Sequence, residues 1–219
     1  MTNYKIKVPK TGHDVPLYRY QQFLSIDEPT EDDVLLTLAG ISSTVISKLQ
    51  TADVLRIHAH CNDFLNAPDL IREFKMDGVH YGFIPSLDMI TWGENKDITD
   101  YLPTDENKGK HLHRCMAVLY RPIIGRKGDK YMIEDYKGTH EYAERMKLMP
   151  MDVALSALRF FFHLSTDLLL LIPNYIKTEM ANDPTFSSEN GRHITNSLHL
   201  LEGNLRDLTT LFENHYTNV

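Results

Sequence analysis

Residues 72–85 read REFKMDGVHYGFIP, and their reading decides whether this chain is wholly helical or carries a sheet. Phe74, Met76, Val79, Tyr81 and Phe83 flank a central Asp77-Gly78. Asp-Gly is a favoured two-residue hairpin turn, because its backbone twist matches that of paired strands. Apolar and aromatic residues on either side complete the signature, so an antiparallel hairpin is expected here. Outward from it, DKYMIEDY (129–136) reads as a strand and GRKGDK (125–130) as the turn before it. At the other end of the chain YKIKVP (4–9) alternates like a short strand that Pro9 ends.

The remaining sequence is helical in pattern. Pro16 can open a helix that puts Leu17, Tyr20, Phe23 and Leu24 on one face. PTEDD (29–33) places acids where a helix start favours them. Residues 51–66 open on a possible Thr51 cap and stop before Pro68. SLDMITWGENKDITDYLP (86–103) reads as a loop with at most one helical turn, and 108–120 as a helix ending before Pro122. From Thr139 the chain is helical again, broken and restarted at Pro150, and a long helix over 150–180 should kink at Pro173. ANDPTFSSENGR is a polar linker. Beyond it Ile194, Leu198, Leu201, Leu205, Leu208 and Phe212 form a heptad seam.

The expected fold class is α+β and predominantly α: a helical core, a small antiparallel β-sheet and a C-terminal amphipathic helix. The expected organisation is one core domain over 1–180, a linker over 181–192 and the amphipathic helix over 193–219.

Composition narrows the partners. A net charge of −7 argues against nucleic acid or an anionic membrane surface, both of which select basic surface. Residues 153–172, VALSALRFFFHLSTDLLLLI, have the length of a membrane span. Arg159, His163 and Asp167 interrupt them, and each charge near a bilayer centre costs roughly 2.5–3.5 kcal/mol. A buried helix is the expectation. Two cysteines, Cys61 and Cys115, point to a reducing compartment rather than a disulfide scaffold.

Both cysteines sit beside histidines, in HAHC (58–61) and HLHRC (111–115). On helices His58 shares a face with Cys61, and His111 with Cys115, so two such helices side by side could present a tetrahedral zinc site. The same cysteines also belong to apolar stripes, Val54-Ile57-Cys61-Leu65 and Leu112-Cys115-Met116-Leu119, where a free cysteine packs as a small hydrophobe. The core reading is preferred and no cofactor is expected. Arg159, His163 and Asp167 form a column at spacing four, either a proton relay or a structural polar seam. No nucleophile elbow or phosphate-binding loop is present in the sequence. In 86–103 the acids Glu94 and Asp97 suit a helix start better than an acid–base pair. With Trp92 they make this stretch the preferred contact surface, against the alternative that Trp92 closes one end of the core.

VPLYRYQQFLSI, HYGFIPSLDMITWGENKDITDYL, HLHRCMAVLYRPI, DKYMIEDYKG and FFFHLSTDLL occur in this order. Together they resemble a family of tail or baseplate assembly proteins of T-even-like contractile-tailed phages, which includes baseplate hub assembly factors and tail assembly chaperones. The resemblance spans roughly residues 4–172 and rests on Gly93, Glu94, Asp97, His113, Arg114, Leu119 to Pro122, Tyr136, Gly138, Phe161 and Phe162. It implies a non-enzymatic morphogenesis protein in the host cytoplasm whose partners are tail or baseplate proteins. The alternatives are a structural protein kept in the virion at the baseplate or head–tail connection, and a metal-dependent enzyme. The seam over 194–212 lies outside the resemblance; it suits folding back on the core, self-association as a homo-oligomer, or a groove on a partner.

Overall fold

A computed structural model describes residues 6–104 and 106–164. It has the expected class, a predominantly helical α+β fold around one four-stranded antiparallel sheet in the order β1-β2-β3-β4. The hairpin is where the sequence puts it: β1 (Glu73–Met76) and β2 (Val79–Phe83) pair with Met76 opposite Val79 across the two-residue turn. Asp77 and Gly78 both take positive φ, 50° and 77°, as that turn demands. Phe74, Met76, Tyr81 and Phe83 are buried on one face.

The third strand is a correction. The expected helix over 108–120 is shorter, α6 (Leu112–Leu119), and the chain turns directly into β3 (Tyr120–Lys127). Gly125 to Lys127, expected as turn, belong to that strand, and the turn proper is Gly128-Asp129 before β4 (Lys130–Ile133). β3 is central although it contains Pro122, a residue normally confined to edges. The register explains it. Ile84 donates its N–H to the Leu119 carbonyl at 2.9 Å, so bonded pairs fall at 84/119 and 82/121. Pro122, opposite Tyr81, therefore turns its nitrogen and carbonyl away from β2 and toward Glu134, one residue past the end of β4, where the carbonyl accepts from Glu134 N–H at 2.9 Å.

The helices cover the sheet. α1 (Leu17–Leu24) buries Leu17, Tyr20, Phe23 and Leu24, the four residues its periodicity singles out. α2 (Glu31–Thr37) starts at a reciprocal capping box between Thr30 and Asp33. After α3 (Ser43–Ile46) comes α4 (Thr51–Asn62), whose N-cap is Gln50, so Thr51 is the first helical residue rather than the cap. α6 is buried almost all round, and residues 151–164 form α8, with Met151, Val153, Ala154, Leu155, Ala157 and Leu158 in the core. Between them lies the short α7 (Ala143–Met146). Pro150 restarts the helix as expected and bridges to Pro16, with Leu17 N–H on Met149 O and Met151 N–H on Val15 O.

Residues 6–9 are not a strand. Ile6 and Val8 instead pack against the core, and the Pro9 carbonyl lies 3.0 Å from the His60 ring nitrogen of α4, so the segment finds its partners on a helix. Among the described residues no helix is long and apolar enough to cross a membrane. Asp167, the Pro173 kink, the 181–192 linker and the seam Ile194, Leu198, Leu201, Leu205, Leu208, Phe212 lie outside the described residues.

Candidate functional site

Residues 86–102, expected as a loop, are a 3₁₀ turn (Leu87–Met89) followed by a full helix, α5 (Trp92–Tyr101). What starts that helix is Thr91. Its side chain accepts from Glu94 N–H, and the Glu94 carboxylate accepts in return from Thr91 N–H and Oγ, both at 2.7 Å. Thr-x-x-Glu is the sequence signature of such a box, so the helix start was legible in TWGE (91–94).

Glu94 is buried, and its second oxygen accepts a hydrogen bond from the Arg121 guanidinium at 2.5 Å. Arg121 stands on β3 opposite Gly82, on the sheet face away from buried Tyr120, and is itself buried. Its guanidinium lies 5.7 Å from the centre of the Tyr136 ring, within cation–π range. Its Nε is the one buried side-chain nitrogen or oxygen without a hydrogen-bond partner among the described residues. Tyr136 in turn donates its hydroxyl to Asp97, one turn along α5 from Glu94. Burial and then the Asp97 carboxylate raise the Tyr136 phenol far above its ordinary value. Glu94, Asp97, Arg121 and Tyr136 thus form one polar cluster joining α5, β3 and the chain after β4. Gly138 follows with φ of 94°, a turn that favours glycine. The sequence singles out Glu94 and Asp97 for contact, whereas Arg121 stands there only as a residue just past the expected helix over 108–120. A lone cation inside the apolar run VLYRPII was the available signal.

Above this mount the apolar side chains face outward. Trp92 is 81% exposed and Met89 80%, the two most exposed large apolar residues described. The alternative in which Trp92 closes the core is therefore wrong. The cluster holds the first turn of α5 from beneath, with the Trp92 indole exposed on that turn and the Met89 thioether exposed at the end of the 3₁₀ turn before it.

The zinc candidates do not come together. Among the described residues no three His, Cys, Asp or Glu side chains are grouped to hold an ion. Cys61 and Cys115 are buried and unpaired by any disulfide, and burial pushes the Cys61 thiol to about 11 and that of Cys115 higher. His58 pairs with Asn62 one turn on, and His111 is the N-cap residue of α6 beside Tyr101. In the column on α8, Arg159 donates to His163 at 3.3 Å and to the Ala67 carbonyl at 2.5 Å, and His163 is exposed. Arg159 therefore ties α8 to the segment before β1, which is a structural use. The comparisons add no relative: no family model, no curated protein and no solved structure matches the chain.

Proposed function

We propose that this chain is a non-enzymatic phage morphogenesis protein that binds tail or baseplate subunits during assembly in the host cell, with Trp92 and Met89 as its contact. The observation that carries the reading is the exposed Trp92 on a helix start fixed by the Thr91–Glu94 box and the Glu94–Arg121 ion pair, with exposed Met89 in the 3₁₀ turn just before it. Tryptophan dominates contact energies when it fills a partner's pocket, and a fixed mount lowers the ordering cost of binding. The resemblance supplies the kind of particle. Several of the positions it rests on, Gly93, Glu94, Asp97, Arg121, Pro122 and Tyr136, belong to this mount or adjoin it.

The test is affinity purification of the tagged chain from infected cells, with mass spectrometry of whatever accompanies it. Tail or baseplate proteins should co-purify with the unaltered chain. With Trp92→Ala they should fall at least roughly thirtyfold, the effect of a hot-spot loss of about 2 kcal/mol. Thermal stability should hardly change, because the side chain is exposed. Absence of phage structural proteins from the purified material would refute the reading.

A further inference from the structure

The charges around Trp92 say what kind of partner segment it takes. From 86 to 102 the ionised side chains are Asp88, Glu94, Asp97, Asp100 and a single cation, Lys96. Glu94 is neutralised by Arg121, and Asp100 by Lys96 at 2.7 Å. Beyond β4, Glu134 is bonded by the Tyr142 hydroxyl and then by Lys137, which together hold its carboxyl below the usual range. Asp88, Asp97 and Asp135 remain, and among the described residues none of the three has an ion-pair partner. Asp88 adjoins Met89. Asp97 is reached through Tyr136, whose ring lies against Gly93, the residue after Trp92. Asp135 immediately precedes Tyr136 and is exposed.

The segment that carries the exposed indole and thioether thus holds or adjoins carboxylates without an ion-pair partner among the described residues, with Lys96 the one cation of 86–102, on a chain whose net charge is −7. A second copy of the same acidic surface would be repelled, and so would an acidic peptide. We propose that the Trp92–Met89 surface binds a basic amphipathic segment of the partner protein. Its apolar side chains seat on Trp92 and Met89, and its lysines or arginines face Asp88, Asp97 and Asp135. A cation over the Trp92 ring adds a contact that an anion could not make. This inference rests on the contact reading above and specifies its chemistry.

Trp92 is the sole tryptophan, so the emission of the full chain reports on this surface alone. The probes are a synthetic amphipathic peptide of leucine and lysine and its leucine–glutamate counterpart. The lysine peptide should shift Trp92 emission to the blue with saturation, and more weakly as salt rises. Replacing Asp88→Asn and Asp135→Asn together should weaken it about three- to tenfold, the range for two exposed ion pairs. Without peptide, and with each ion referenced to its quenching of free tryptophan amide, caesium should be favoured over iodide at Trp92, since the local field draws cations. Equal response to both peptides, no response to either, or referenced iodide quenching as strong as referenced caesium quenching would each overturn the proposal. So would a blue shift driven by protein concentration alone, which would make the occupant a second copy. If the peptides fail but Trp92→Ala still loses tail proteins in the purification, the basic chemistry falls and the contact reading stands.

Discussion

Replacing Arg121 by Met removes one half of a buried ion pair and tests how the candidate site is held. The two side chains are 8% and 5% exposed, and the bond between them is 2.5 Å long. With Met at 121, Glu94 keeps its two bonds from Thr91 but loses the one cation paired with it among the described residues. Leaving such a charge unpaired costs roughly 3–5 kcal/mol. Glu94→Gln alone keeps an acceptor for the capping box but strands the guanidinium, and should cost somewhat less, about 2–4 kcal/mol. The double variant removes both charges, retains the box and fills the space with a side chain of similar length. It should cost no more than about 2 kcal/mol, because a buried pair replaced as a unit is often neutral. The coupling between the sites is then at least about 3 kcal/mol. Urea unfolding of the four proteins measures it, and for a chain with a slope of roughly 2–3 kcal/mol per M the midpoint of the Arg121 variant should fall by about 1–2.5 M. A loss below about 1 kcal/mol for the single variant, or a double variant equal to the sum of the singles, would refute the mount.

His113 gives a pH dependence with a definite sign. It is buried on α6 with Nδ1 3.1 Å from the Gln21 side-chain amide, and burial, then Lys147, pushes it from 6.5 down to about 4. Between those values the unfolded chain binds the proton and the folded chain does not, so stability rises with pH across the window and is lost as pH falls from about 6.5 to 4. Relative to His113→Gln, the unaltered chain should lose roughly 3 kcal/mol over that window in denaturant melts, and parallel curves would disprove the assignment. Gly82→Val tests the cover on the outer sheet face. A Cβ there would stand 2.6 Å from the Tyr131 ring, whose hydroxyl donates to Phe83 O at 2.7 Å. Displacing the ring should cost about 1–3 kcal/mol, measured by thermal melting, and an unchanged midpoint would show that Tyr131 is free to move.

What was legible in the sequence was local. The Asp77-Gly78 hairpin, the face of α1 and the acids opening α2 are each decided by residues within a few positions of one another. β3 was not legible, because its strand character comes from pairing with β2 on one side and β4 on the other. Pro122 argues against a central strand until the register shows its missing N–H turned away from β2. α5 was hidden for a different reason. Ile98 is the one apolar residue of that helix to be buried, alongside Glu94, so no apolar stripe marks it. It is held by its cap and by the Glu94–Arg121 bond, and only the cap has a short-range signature. Glu94 and Asp97 could be picked as acids near a tryptophan, but Arg121 and Tyr136 join them only through the sheet.

That difference in how α5 is held bears on what the ion pair is for. Burying Glu94 and Arg121 is a poor way to gain stability, since an apolar pair would serve as well. Charge in a buried place does fix geometry, because each group tolerates few alternative arrangements. Glu94 uses one oxygen for the backbone that starts α5 and the other for β3, while the same guanidinium lies over Tyr136, which reaches back to Asp97. The helix start is therefore tied at successive turns to the central strand and to the chain leaving β4. A sliding apolar contact would let α5 rotate about its axis, and every such rotation would carry Trp92 with it. The polar cluster sets the angle at which Trp92 leaves the surface, which would preorganise the proposed contact.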